Sequence, residues 1–178
     1  MALRKASAYS KMKARPFTRV SRNKGKSYIK TVPLHKVVKF HIGNQADYRA
    51  GKHTYAVALF AEERVFIRDS ALEAARQALT KKMDENALNL YYLAVKVVPH
   101  HFMRENKTAA GAGADRMSTG MTQSYGIIIG RGAIVPAGRP VFFISAATDA
   151  VARIARDALA QVKSKLPGRT RIVFQKLR

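Results

Sequence analysis

The residues of this chain most able to do chemistry are aromatic rings set among cations near the N-terminus. Tyr9, Phe17 and Tyr28 are interleaved with basic side chains. Exposed rings stack on nucleobases, while Lys and Arg neutralise phosphates. The pattern predicts an arm that becomes ordered on RNA, although a run of charge is equally typical of a solvated tail. The cations expected to meet phosphates include Arg15, Arg19, Arg22, Lys24 and Lys26.

Two other motifs are weaker indications of chemistry. His100 and His101 are candidates for a metal site or a general base, but adjacent residues of a strand point apart and no partner has ligand spacing. The sequence Gly111-Ala-Gly-Ala-Asp-Arg116 is similar to a dinucleotide-binding fingerprint, yet Arg116 stands in place of the third glycine. Cysteine is absent, which excludes thiolate catalysis. We therefore predict no catalytic residue, no metal site, no cofactor and no enzymatic activity.

The distribution of charge favours nucleic acid as the partner. The chain has 178 residues, with 33 Lys and Arg against 11 Asp and Glu, and a formal net charge of +22. Residues 1–46 contain no acid, none follows Asp157, and the middle is nearly balanced. A polyanion relieves the self-repulsion of such a chain. No apolar run is long enough for a membrane span, and no signal peptide is expected.

Apolar periodicity predicts an α+β fold. Two strand–helix–strand units would pack their helices over a common sheet as a two-layer sandwich. In the first helix, Leu72, Leu79 and Met83 form an apolar stripe, and Ser70 with Glu73 has the spacing of a capping box. The units are predicted at residues 63–68, 69–83 and 90–98, and at residues 140–145, 148–162 and 169–177. Further strands are predicted at residues 35–42, 55–61 and 127–135.

A long segment separates the two units. We predict a basic arm at residues 1–34 and a single α+β domain at residues 35–178, with a functional loop at residues 100–126. Gly111 and Gly113 lie among alanines, so the tip carries little side chain and suits close approach to another backbone. Doubled back, residues 99–115 would extend roughly 25 Å from the body. A finger entering an RNA crevice and a mobile surface loop both fit this composition.

The residues of this loop carry a resemblance to a known family. Residues 99–107 (PHHFMRENK), 111–116 (GAGADR) and 120–121 (GM) resemble the loop of the large-subunit ribosomal protein family called L-ten-e in archaea, L-sixteen in bacteria and L-ten in eukaryotes. Residues 67–76 (IRDSALEAAR) resemble the start of its first helix, and residues 28–30 (YIK), 32–33 (VP) and 40–44 (FHIGN) its N-terminal part. The resemblance runs from about Arg15 to the end of the second helix and is archaeal in character.

The resemblance implies a cytoplasmic structural component of the large ribosomal subunit. It would bind rRNA near the central protuberance, close to the 5S rRNA, and contact neighbouring ribosomal proteins, with no membrane or small-molecule substrate. Its loop would help to position tRNA acceptor ends near the peptidyl transferase centre. The alternative is a free nucleic-acid-binding or ribosome-assembly module. The implied rRNA-binding residues are Arg15, Arg19, Arg22, Lys24, Lys26, Lys30 and Lys36. The implied loop residues near tRNA or the peptidyl transferase centre are His101, Arg104, Asn106, Lys107, Thr108, Gly111, Gly113 and Arg116.

Overall fold

The computed structural model describes residues 33–105 and 127–177. The described residues form eight strands, three α-helices and one 3-10 turn, and the fold is of the α+β class, as predicted. In chain order the elements are β1 (His41–Gly43), α1 (Gln45–Arg49), β2 (Tyr55–Ala61), β3 (Val65–Arg68), α2 (Asp69–Ala87), β4 (Tyr91–Val95), β5 (His101–Glu105), β6 (Ile127–Val135), β7 (Pro140–Ala146), α3 (Asp149–Val162), a 3-10 turn (Lys163–Lys165) and β8 (Thr170–Lys176).

A five-stranded antiparallel sheet forms the centre of the molecule, in the order β1-β4-β7-β2-β8. Its inner face is apolar in the three central strands. Val57 of β2 and Leu93 of β4 both lie opposite Ile144 of β7 in the ladder. All three are buried, and α2 and α3 pack over them in one hydrophobic core. Successive strand residues point to opposite faces, so Tyr92 and Phe143 lie on the outer face, away from these helices.

The second strand–helix–strand unit is confirmed. β7 and β8 are both antiparallel to β2, which lies between them, so they run parallel to each other and are joined across one face by α3. The Thr148 side chain caps α3 by accepting the N–H of Val151 at 3.5 Å. The predicted stripe of α3 faces the sheet, and its buried members include Val151, Ala155 and Leu159.

The first unit differs from the prediction in one respect. Its two strands do not share a sheet: β4 belongs to the five-stranded sheet, whereas β3 belongs to a second sheet of order β3-β6-β5. The reason is that β3 pairs with β6, with Val65 opposite Val135 and Arg68 opposite Gly132. Periodicity along β3 predicts a strand but carries no information about its partner. As a result α2 links the two sheets.

The strand predicted at residues 35–42 is mostly wrong. The sequence predicts that Val38, Phe40 and Ile42 share one apolar face of this strand. Only β1 forms, however, and Val38 is 73% exposed whereas Val37 is buried. The ladder ends at Gly43, which adopts φ +85. Only glycine fits this position, because any Cβ there would overlap the carbonyl oxygen of Tyr91. Before His41, the Phe40 carbonyl accepts the N–H of Val95 at 2.8 Å, whereas two backbone N–H groups bond to side chains of α2.

The apolar stripe of α2 is completely buried. Leu72, Ala75, Leu79 and Met83 are all 0% exposed, and they belong to the same core as the five-stranded sheet and α3. None of the helices in the described part of the chain has the length and apolarity needed to cross a membrane.

Replacing Leu79 by Asp should unfold the domain. The change buries an unpaired carboxylate in the middle of the stripe, which costs several kcal/mol. Ala74→Asp is the matched control, since Ala74 is exposed on the same helix. Chemical denaturation should show loss of the folded baseline for Leu79→Asp and a shift of under about 1 kcal/mol for the control. Native stability in Leu79→Asp would contradict this account of the core.

Candidate nucleic-acid interface

Residues 36–38, which follow the predicted arm and are called the arm root here, are bound to the body by two carboxylates of α2. Asp69 Oδ2 accepts the backbone N–H of Lys36 at 3.1 Å, and Glu73 Oε2 accepts that of Val38 at 3.3 Å. Between them the Val37 side chain is 2% exposed in the core. This alternation directs the side chains of Lys36 and Val38 outwards, where both are exposed.

Glu73 is held ionised at this position. Its carboxylate also accepts bonds from Arg76 Nε at 2.8 Å and Gln77 Nε2 at 3.0 Å. The Arg76 guanidinium, followed by the bonds from Gln77 and the Val38 N–H, outweighs burial and lowers the pKa of Glu73 to about 2. The capping box predicted for Ser70 and Glu73 is therefore wrong. Arg68 is the N-cap residue, and Glu73 is turned towards the arm root instead.

Of the seven predicted rRNA-binding residues, the structure describes one. Lys36 is exposed in the arm root, and its side chain points away from α2. The other six, Arg15, Arg19, Arg22, Lys24, Lys26 and Lys30, lie outside the described residues.

The predicted loop at residues 100–126 is shorter than expected, because its first part is a strand. β5 pairs antiparallel with β6, from His101 opposite Gly132 to Glu105 opposite Ile127. The sequence of β5 (HFMRE) has no clear apolar alternation, and the strand is stabilised by its partner. Of the predicted loop residues, His101 is half-buried and Arg104 is 8% exposed in β5. Asn106, Lys107, Thr108, Gly111, Gly113 and Arg116 lie outside the described residues.

The base of this hairpin packs on the body. Met103 and Phe66 are buried in a small cluster, with Ile129 and Ile134 against them. Gly132 lies directly against the Phe66 ring, and a Cβ at this position would overlap the ring. The Arg131 guanidinium lies 5.0 Å from the centroid of Phe102. These contacts hold β3, β5 and β6 together, and buried residues of β3 and β6 belong to the main core shared with the five-stranded sheet.

The two adjacent histidines make local contacts. The rings of His100 and His101 are 4.4 Å apart, and His100 Nδ1 donates to the carbonyl oxygen of Val98 at 2.8 Å. Within residues 33–105 and 127–177, no group of three His or acidic side chains is arranged to bind a metal ion.

Sequence reasoning missed an aromatic cluster on the outer face of the five-stranded sheet. Tyr48 of α1 stacks on Tyr92 of β4 with centroids 4.7 Å apart, and its ring meets Phe143 of β7 edge-on at 5.8 Å. His41 Nδ1 and the Tyr92 hydroxyl are 2.7 Å apart. Lys96 Nζ lies 5.2 Å from the Phe143 centroid. These residues come from four elements, so only the alternation within β4 could have indicated part of the cluster.

Comparison with known proteins places these features in a family. The model of the family described as "Ribosomal protein L16p/L10e" matches residues 12–173. The chain belongs to this family. The large ribosomal subunit protein uL16 of Staphylothermus marinus is 39% identical over 183 residues, which cover 100% of this chain and 97% of that protein. For uL16 of Pyrobaculum calidifontis the identity is 38% over 176 residues, covering 98% and 95%. For uL16 of Methanococcus maripaludis it is 36% over 177 residues, covering 99% and 96%.

Membership of the L16p/L10e family confirms the resemblance stated from the loop and helix motifs. The match extends further than expected. It begins before Arg15 and continues past α3 to residue 173, within β8. The C-terminal strand is therefore part of the L16p/L10e fold, and the family match covers both sheets.

Glu73→Gln should destabilise the protein at neutral pH by about 1–3 kcal/mol, because the Arg76 guanidinium loses its charged partner. The folded-state pKa of Glu73 is about 2, below the ordinary value of 4.5. Its stabilising contribution is thus complete above about pH 4.5 and is lost as pH falls towards 2. Denaturant midpoints should show the gap between wild type and variant closing over that window.

Glu85→Gln is the matched control for this measurement, since Glu85 is exposed on the same helix. It should follow the wild-type pH profile. A gap for Glu73→Gln that stays constant from pH 7 to pH 3 would contradict the role of the Glu73 charge.

Proposed function

We propose that this protein is a structural component of the cytoplasmic large ribosomal subunit, where it binds rRNA near the central protuberance and the 5S rRNA. It helps to position tRNA acceptor ends near the peptidyl transferase centre and contacts neighbouring ribosomal proteins. Support comes from its membership of the L16p/L10e family and from the net charge of +22, which a phosphate-rich scaffold neutralises. It performs no catalysis, because positioning requires only binding.

The observation that carries the tRNA part of this proposal is the ladder of β5 and β6. The last pair, Glu105 and Ile127, are opposite each other, so residues 106–126 leave and return at neighbouring points. Met103 is buried against Phe66 of β3, and Ala133 of β6 lies in the main core, so the ladder is held on the domain. The ladder thus supports a finger whose two ends start from one defined place on the domain.

The rRNA part is supported by the geometry of the arm root. Asp69 and Glu73 are buried acids that bind backbone N–H groups, so neither carboxylate competes for the basic side chains of the arm. Lys36 and Lys39 are exposed on either side of this anchor. In the proposed function, the cations of residues 1–32 contact phosphates, and such contacts fix register without reading sequence.

A free nucleic-acid-binding or assembly module is the alternative function, and sedimentation separates the two. A ribosomal component stays with large subunits through a high-salt wash, since many contacts must break together. Absence of the protein from washed subunits of its source cell would contradict the proposed function.

The arm should contribute to the salt dependence of rRNA binding. Replacing Arg15, Arg19 and Arg22 together by Gln removes three expected phosphate contacts. The slope of log affinity against log salt should become shallower by about 0.7–0.9 for each. Lys81, Arg153 and Arg156, on α2 and α3, are the matched triple, and their replacement by Gln should leave the slope unchanged. Equal slopes for wild type and the arm variant, measured by filter binding, would rule out arm contacts.

The proposed finger predicts a separation of function from stability. Gly113→Val adds a β-branched side chain at the tip and should leave thermal unfolding unchanged, while tRNA binding by the subunits or their maturation declines. Ala160→Val is the control, because Ala160 is exposed on α3 and receives the same bulk. Wild-type translation and subunit assembly in Gly113→Val cells would show that the tip is only a spacer.

A further inference from the structure

The two sides of the five-stranded sheet differ in their charge. The described ranges contain ten of the 11 Asp and Glu residues, and six of these ten lie on α2 and α3, together with five Lys and Arg. The helical side is therefore close to neutral. On the outer side, around α1 and the cluster of Tyr48, Tyr92 and Phe143, Asp47 is an acid already paired with Lys52 at 2.8 Å. The surplus cations on this side include Lys96 and Arg139.

We propose that the outer face is a second RNA-binding surface, separate from the arm and the finger. A phosphate lies between Lys96, His100 and Arg139, and the adjoining base or ribose stacks on Phe143. This inference rests on the proposed function and names where on the body an irregular or single-stranded segment of rRNA would bind.

The phosphate position is a cleft between the two sheets. A cavity of about 260 Å³ is lined by residues including Lys96, His100, Pro136 and Arg139. A second cavity of about 420 Å³ shares Lys96, Pro136 and Arg139 with it. The residues lining both cavities include no Asp or Glu. In the described part of the chain, neither Lys96 nor Arg139 forms an ion pair, and both are exposed. Such a site attracts an anion with no internal competitor.

The stacking position adjoins the cleft through Lys96. Its ammonium lies over the Phe143 ring, 5.2 Å from the centroid, so one cation both lines the cleft and covers the ring. In the proposal, a base that stacks on Phe143 takes the place of this ammonium, which turns to the phosphate. Phe143 is partly exposed, and the edge contact with Tyr48, itself stacked on Tyr92, fixes its orientation. A fixed ring loses little entropy on binding. Aromatic rings next to cations are the usual arrangement for stacking a base beside its phosphate.

RNA fits this surface better than a protein partner does. The core of a protein interface is depleted in charged residues, whereas here cations without ion-pair partners lie beside the partly exposed ring of Phe143. The apolar neighbours Val98 and Pro136 are exposed beside those cations. A nucleotide is complementary to both the cations and the apolar residues, since its phosphate contacts the cations and its base contacts the apolar surface.

Two variants of the full-length protein test the proposal. Lys96→Gln with Arg139→Gln should make the salt slope of binding to large-subunit rRNA shallower by about 0.7–0.9 for each lost contact. Phe143→Leu keeps the charge, and loss of base stacking should weaken binding about 5-fold or more. The control is Lys81→Gln with Arg156→Gln on the helical side, which removes the same charge from exposed positions. Melting temperatures within a few degrees of wild type identify the folded variants.

The outcomes separate this inference from the proposed function. If wild-type protein fails to bind rRNA, the proposed function itself is wrong. If wild type binds and the cleft pair matches the control pair in slope and affinity, the outer face does not bind RNA. If the cleft pair binds isolated rRNA normally but is lost from assembled subunits, the surface contacts a neighbouring protein, which also overturns the inference. A cleft pair with a shallower slope, together with weakened Phe143→Leu, supports it.

Discussion

The burial of one face of α2 is the constraint on which the rest of the structure depends. Its stripe of Leu72, Leu79 and Met83 is completely removed from solvent and shared with α3 and both sheets. Each large apolar side chain buried in this way contributes about 1.5–3 kcal/mol relative to exposure. The two sheets exchange no strand, and α2 packs against both of them in one core.

The same helix serves the electrostatics of the molecule. The chain has a net charge of +22 and only 11 Asp and Glu residues. Two of these acids, Asp69 and Glu73, are buried at the N-terminal end of α2. There they bind backbone N–H groups of residues 36 and 38, and acids near a helix N-terminus are favoured by its dipole. The fold thus uses these two carboxylates to hold the backbone of residues 36–38 against α2.

Local structure was predictable from the sequence where one strand or helix carries its own pattern. The bounds of β2 and β6 agree with prediction, and Thr148 begins α3 as expected, because apolar alternation and caps are local signals. Pairing was not predictable. β5 has no pattern of its own, β3 joins an unexpected sheet, and Glu73 bonds to a residue 35 positions away. The outer aromatic cluster was missed for the same reason, since Tyr48, Tyr92 and Phe143 meet only after the strands have paired.

The position of β8 has a consequence for how the chain folds during synthesis. β8 covers the edge of β2 along its whole length, from Tyr55 opposite Lys176 to Ala61 opposite Thr170, yet the two are separated by most of the described domain. Until that late strand is translated, β2 keeps one row of backbone groups unpaired, and such an edge invites pairing with other chains. In this topology the pairing that closes the edge of β2 is therefore the last strand pairing that the order of the chain allows.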